Sequence, residues 1–209
     1  YRKIEKDIEG YLRAEDDRIM ILEGARQIGK SFIIREVGKK LYDNFIEINF
    51  AEDDEGPKIF KGIGTTEGFY FTLSSVYGEK LDRYENTLIF LDEIQHYPQY
   101  LTLLKFFRED RRFRFIASGS LLGITLRETT SIPVGSIIRK NMYQLDFEEF
   151  LIANGFGQEA LNTLRTKLMN RESLDESLHD YIMNLFRRYL LVGGLPAAGK
   201  EFFGSDYFV

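Results

Sequence analysis

Between an apolar run at residues 18–24 and an amphipathic stretch at residues 30–41 stands Gly24-Ala25-Arg26-Gln27-Ile28-Gly29-Lys30-Ser31. The string fits G-x-x-x-x-G-K-[ST], and its flanks read as the strand and helix which that pattern requires. Such a loop wraps an anion with backbone N–H groups, so glycine is needed where the chain turns tightly and approaches the phosphates. The helix starting near Lys30 points its positive end at the same anion. Lys30 is expected to reach the outer phosphates and the Ser31 hydroxyl to hold magnesium. The nucleotide-binding set is therefore Gly24, Ala25, Arg26, Gln27, Ile28, Gly29, Lys30, Ser31 and the next residue, Phe32.

The remaining pattern extends that alternation. Ile4, Ile8 and Leu12 recur every four residues, as a leading helix over residues 2–13 would need. Ile33, Ile34, Val37 and Leu41 share one face of the helix after the loop, and a second strand is predicted at residues 45–50. Residues 51–86 are Gly-rich and mixed, and their pattern assigns no element. Residues 87–92, Thr-Leu-Ile-Phe-Leu-Asp, form the clearest buried strand. A helix is predicted from Pro98 to about Glu109, strands at 113–118 and 136–145, a helix at 147–153 and amphipathic helix over 158–191. Strands alternating with helices imply an α/β fold with a parallel sheet covered on both faces.

Composition narrows the class. The 209 residues include no Cys, which excludes disulfides and thiolate metal sites. Thirty Phe and Tyr residues and 44% apolar content are well above disordered compositions, and no apolar run approaches the length of a membrane span. A soluble, cytoplasmic chain with no membrane partner is expected. It begins at Tyr1 with no leader pattern, and is expected to be part of a longer protein.

The second motif is Asp92-Glu93 at the end of the 87–92 strand. A parallel strand delivers its carboxyl end to the ligand crevice, so Asp92 is expected beside the magnesium that Ser31 holds. Glu93 is then placed to orient and deprotonate an attacking water, a group that hydrolysis needs and a kinase avoids. Guanine-selective proteins of this class carry Asn-Lys-x-Asp late in the chain. Here the nearest approach, Glu79-Lys-Leu-Asp82, lacks the Asn and precedes Asp92, so adenine is favoured.

The strings GARQIGKS, FIEINF, LIFLDEIQ, ASGSLLG, SIPVG and YLLVGGLP occur in this order and resemble prokaryotic AAA-type ATPases whose ATPase domain precedes a C-terminal domain of uncertain function. The resemblance covers nearly the whole chain. It implies a three-layer core with a five-stranded parallel sheet over residues 1–153, a helical lid with the start of a further region over 154–209, and ATP with magnesium. It also implies a continuation past Val209. By position, Lys30, Ser31, Asp92 and Glu93 match the two nucleotide motifs. Ser120 fits the polar residue that senses the terminal phosphate at the end of the fourth core strand, with Ser118 as the alternate. Members of the broader group often carry Gly-Arg where this chain has Gly135-Ser136, a departure for which Arg139 is near enough to substitute.

The chain is acidic overall, with 28 Lys and Arg against 33 Asp and Glu, which argues against a constitutive nucleic-acid clamp. Residues 101–140 are the exception, with 8 basic and 3 acidic side chains. Lys105, Arg108 and Arg112 fall on one helical face. This stretch reads as a solvated face, as a source of an arginine finger for a neighbouring copy (Arg108, Arg111, Arg112, Arg127 or Arg139), or as a nucleic-acid patch interleaved with Tyr97, Tyr100, Phe106 and Phe107. The aromatic spacing favours packing. His96 and His179 are too few for a histidine zinc site. Gln95 reads equally as a contact to the water or phosphate and as a helix-start hydrogen bond, and Val192-Gly-Gly-Leu-Pro196 as a hinge or an ordinary helix stop.

The expected function is magnesium-dependent ATP hydrolysis that switches or drives an attached C-terminal domain, through which nucleic acid could be engaged. Two alternatives stand: a nucleotide-gated binding switch with little turnover, and a small P-loop kinase.

Overall fold

A computed structural model of the protein describes residues 1–51, 58–83, 86–120 and 135–196. The chain divides into two compact units, one of Ile4–Arg26 and Lys30–Met142, the other of Tyr1–Lys3, Gln27–Gly29 and Tyr143–Val209.

The larger unit holds α1 (Ile4–Arg13), β1 (Ile19–Glu23), α2 (Lys30–Leu41), β2 (Asn44–Asn49), α3 (Thr66–Arg83), β3 (Thr87–Asp92), a 3-10 turn (Ile94–His96), α4 (Gln99–Asp110), β4 (Arg114–Gly119) and β5 (Ile137–Asn141). Its five strands are parallel in the order β2-β3-β4-β1-β5. β1 and β3 are buried at every residue, as strands covered on both faces must be. On one face Ile21, Ile48, Ile89, Leu91 and Ala117 join Phe69 and Leu73 of α3 and Tyr100, Leu104 and Phe107 of α4 in a single core. The alternate residues Met20, Leu22, Leu88, Phe90 and Ile116 are buried as well. α2 lies on that second face, close enough that a Cβ on Gly38 would stand 2.6 Å from the Phe45 ring and 3.0 Å from Leu88. Of the aromatics expected to pack, Tyr100 and Phe107 are core, with Phe107 stacked on Phe115 at 4.6 Å, whereas Phe106 is exposed.

The smaller unit contains α5 (Phe147–Ala153), α6 (Gln158–Asn170) and α7 (Glu176–Val192). Asp146 caps α5 by accepting from the Glu149 N–H, and Glu149 accepts in return from the Asp146 N–H. Leu145, Phe150 and Leu151 pack with Leu161 and Leu185. That packing groups α5 with the helices after it, in the smaller unit.

Several elements differ from the expected bounds. A helix, α3, occupies much of the stretch that had no assignment, and β5 is half the length expected of residues 136–145. The 158–191 helix is broken at Arg171, which takes a left-handed φ of 57° as the C-cap of α6. Gly193 has φ 73° as the C-cap of α7, and Gly194 accepts from the Leu145 N–H at 2.8 Å through its carbonyl. A Cβ on Gly194 would lie 2.3 Å from the Leu145 oxygen. The glycine pair thus stops a helix and permits a close backbone contact.

Candidate functional site

The phosphate loop leaves the buried end of β1 and runs into α2. Gln27 and Gly29 both have positive φ, 64° and 93°, and backbone alternating in this way is the kind that forms an anion-binding concavity of N–H groups. Lys30 opens α2 almost fully buried, and its Nζ donates to the Gly24 carbonyl at 3.1 Å and the Ala25 carbonyl at 2.8 Å. Burial lowers its pKa, against the opposing pull of Glu93 and Asp92. Its ammonium is held by weak neutral acceptors that an anion would displace. Ala25, Arg26 and Gln27 are exposed, Ile28 is buried, and Phe32 is exposed on α2.

β3 ends at Asp92, beside β2 and β4. Ser31 Oγ donates to Asp92 Oδ2 at 2.7 Å, Ser118 Oγ donates to Oδ1, and the Glu93 N–H donates to Oδ1 at 3.1 Å. Burial raises the Asp92 pKa, and the two serine hydroxyls oppose that rise. A carboxylate and a hydroxyl this close form an oxygen donor pair suited to magnesium, which takes one or two protein oxygens and completes its shell with water and phosphate. The sequence-matched Ser31 and Asp92 are thus brought together from residues 61 positions apart.

Glu93 follows in a left-handed conformation, φ 53° and ψ 45°, an uncommon state for a non-glycine residue. The turn sets its carboxylate among Gln95 and Ser120: Gln95 Nε2 donates to Glu93 Oε2 and, at 3.2 Å, to Ser120 Oγ. Ser120 Oγ donates to Glu93 Oε2 at 3.3 Å, and the Ser120 N–H donates to Gln95 Oε1 at 3.2 Å. Gln95 is therefore a bridge between the base candidate and the sensor candidate. The helix-start alternative is not what its side chain does. Ser118, the alternate sensor, lies on Asp92 instead.

A family profile described as an AAA domain matches residues 16–151. The chain belongs to the AAA domain family.

This AAA domain also resembles solved structures. The Walker-type ATPase PABY2304 of Pyrococcus abyssi aligns with a TM-score of 0.53 at 14% identity, covering 95% of this chain and 64% of that one. The Hsp104–ADP complex of S. cerevisiae aligns with a TM-score of 0.55 at 16% identity, covering 95% of this chain and 29% of that one. The chain therefore spans under two thirds of either relative, and at these identities the likeness is one of fold. No curated protein matches it. The parallel five-stranded core implied by the resemblance is the architecture observed.

The described arginines of the AAA domain's basic stretch have intrachain partners. Arg108 and Arg111 share Asp17 Oδ2 at 3.1 Å each, and Arg108 also donates to the Gly135 carbonyl and Ser136 Oγ. Arg112 pairs with Asp110 and lies over the Tyr70 ring. These three line a cleft of about 340 Å3 at Ile19, Thr87 and Phe115, the amino ends of β1, β3 and β4, whereas the phosphate loop leaves a carboxyl end. Arg139 forms a bidentate pair with Glu23, at 2.5 and 2.7 Å. Arg127 lies outside the described residues. His96 is exposed. Among the described residues no helix is long and apolar enough to cross a membrane.

Sequence reasoning missed the Gln95 bridge, the Glu23–Arg139 pair and the contacts of Arg2. Only the first had a signal, a polar residue two positions past the acidic pair.

Proposed function

We propose that this AAA domain binds ATP with magnesium and hydrolyses it, the cycle switching or driving a region C-terminal to the helices of the smaller unit. The observation that carries the reading is the juxtaposition of Ser31 on Asp92, 2.7 Å apart, with a second carboxylate, Glu93, directly following and tied to Ser120. The loop N–H groups and Lys30 bind the phosphates, Lys30 exchanging its two carbonyl acceptors for phosphate oxygens. Ser31 and Asp92 are the residues to hold magnesium, whose chemistry would be neutralisation of charge on the phosphates. Glu93 takes the proton of the attacking water. Ser120, in reach of the same carboxylate, supplies a donor toward the terminal phosphate, and Gln95 keeps the two groups in register.

Lys30→Ala is expected to abolish tight ATP binding. Glu93→Gln is expected to retain binding and lose turnover by orders of magnitude, and hydrolysis by Glu93→Gln at the parent rate would show that Glu93 is not the base. One observation favours a second reading, a nucleotide-held switch: the Glu93 carboxylate is already engaged by Gln95 and Ser120. Turnover of about 10⁻³ per second or less, with nucleotide retained through purification, would select it. Assembly into a homo-oligomer, with an arginine supplied in trans, is part of the proposal. Sedimentation with and without a slowly hydrolysed ATP analogue tests it. A cytoplasmic setting is likewise proposed.

A further inference from the structure

Arg2 stands far in sequence from either nucleotide motif, yet its guanidinium is nearly buried, with 12% of the side chain exposed. Its three nitrogens serve three segments. Nη1 donates to the Ile28 carbonyl in the phosphate loop at 2.8 Å, Nη2 to the Tyr143 carbonyl at 2.7 Å, and Nε to Glu149 Oε1 at 3.3 Å. The Glu149 carboxylate is itself fixed by the Lys3 N–H at 2.7 Å and the Asp146 N–H at 3.1 Å. Lys3 Nζ, next in the chain, pairs with Asp146 and Glu148 at 2.5 Å each.

The Ile28 carbonyl shares a peptide unit with the Gly29 N–H. No cis peptide bond occurs among the described residues, and in a trans peptide C=O and N–H point in opposite directions. A donor that holds the Ile28 oxygen from outside the loop therefore turns the Gly29 N–H inward. Gly29, at φ 93°, could otherwise rotate that peptide at little cost, because glycine populates both signs of φ. A charged donor on the oxygen also polarises the peptide and strengthens the opposite N–H as a donor.

We infer that Arg2 is a positioning residue for the phosphate loop, acting through the Ile28–Gly29 peptide and itself oriented by Glu149. The inference rests on the proposed binding of ATP at that loop. Three acceptors at fixed angles need the planar fork of arginine, which the single ammonium of lysine cannot reproduce. Because Arg2 also holds the Tyr143 carbonyl and the cap of α5, the loop peptide and the start of that helix share one anchor.

The test is ATP and ADP binding with magnesium by calorimetry, together with steady-state hydrolysis and thermal melting, on the parent, Arg2→Ala, Arg2→Lys and Glu149→Gln. Removing a charge-assisted bond that holds a ligating peptide is expected to raise Kd about tenfold in Arg2→Ala. Arg2→Lys should recover part of that loss, to about threefold, and Glu149→Gln should shift Kd in the same direction by a smaller factor. KM should rise with Kd, and kcat should fall by less than KM rises. Parent-like Kd in Arg2→Ala overturns the inference while leaving ATP binding intact. So does Arg2→Lys binding as weakly as Arg2→Ala when both melt several degrees below the parent, since that pattern marks a purely structural role. If Arg2→Ala does not fold, the Kd values of Arg2→Lys and Glu149→Gln decide by the same criteria. A parent that binds no nucleotide removes the ATP reading and this inference together.

Discussion

Replacing Arg139 by Ala separates a stabilising role within the chain from a catalytic role in a neighbouring copy. Arg139 lies on β5 opposite Ile21 of β1, and its fork grips Glu23 two residues further along β1. The Glu23 side chain is 10% exposed and the Arg139 side chain 49%, so the variant strands a carboxylate that water reaches poorly. Breaking a fully buried pair costs about 3–5 kcal/mol and an exposed one under about 1 kcal/mol. With one partner half in solvent, about 1–2 kcal/mol is expected. For a chain of this size that lowers Tm by about 2–8 °C. Loss of an arginine finger instead costs about 10³–10⁵ in turnover. Circular-dichroism melting and ATP turnover at 25 °C should therefore show a lower Tm and turnover within about threefold of the parent. Adding Glu23→Gln to Arg139→Ala should restore part of the lost stability, because the stranded charge is gone. An unchanged Tm with turnover down a thousandfold would refute the assignment and place Arg139 in a neighbour's active site.

Three further outcomes are expected. Gln95→Ala should bind ATP as the parent does while kcat falls about ten- to a hundredfold, the value of a lost hydrogen bond to a carboxylate, and an unchanged kcat would remove Gln95 from the site. Gly194→Ala should cost about 2–4 kcal/mol in equilibrium unfolding of the smaller unit, since its Cβ would meet the Leu145 oxygen and part the Leu145 N–H from its acceptor; parent-like stability would show that the backbone yields there. Arg165 first, then Lys3, hold the Glu148 carboxyl down at about 2. Its folded pKa lies below its ordinary value, so its stabilisation is full above about pH 4.5 and disappears as pH falls toward 2. Glu148→Gln should melt lower than the parent at pH 7 and no lower at pH 2, and a gap that persists at pH 2 would exclude this ionisation as its cause.

The strands and the phosphate loop were legible because their signals are local. The 87–92 strand is continuous apolar residue ending in carboxylates, and the loop is a contiguous string with the right flanks. α3 was not legible. Gly68, Gly78 and the Ser74–Ser75 pair weaken helix propensity, and its exposed Phe71 and Val76 blur the apolar stripe that Phe69 and Leu73 bury. Its helicity comes from packing on the sheet. At the site, residue types were readable but partners were not. Sequence placed Ser120 ahead of Ser118 as the sensor but gave a partner to neither, and only the placing of β4 beside β3 sends Ser118 to Asp92 and Ser120 to Glu93. The partners of Arg2 lie 26, 141 and 147 positions away, a separation at which sequence pattern carries no signal.

That arrangement of β4 also limits how the two acidic groups can respond. Ser118 and Ser120 sit two positions apart at one strand end, with only Gly119 between them, and each holds a different carboxylate. A slide of β4 along its neighbours would carry both hydroxyls at once. The carboxylate proposed to meet the cation and the one proposed to meet the water are thus geared to a single rod, and neither can be retuned by strand movement without the other. Substitutions at Ser118 and Ser120 should accordingly be non-additive in turnover.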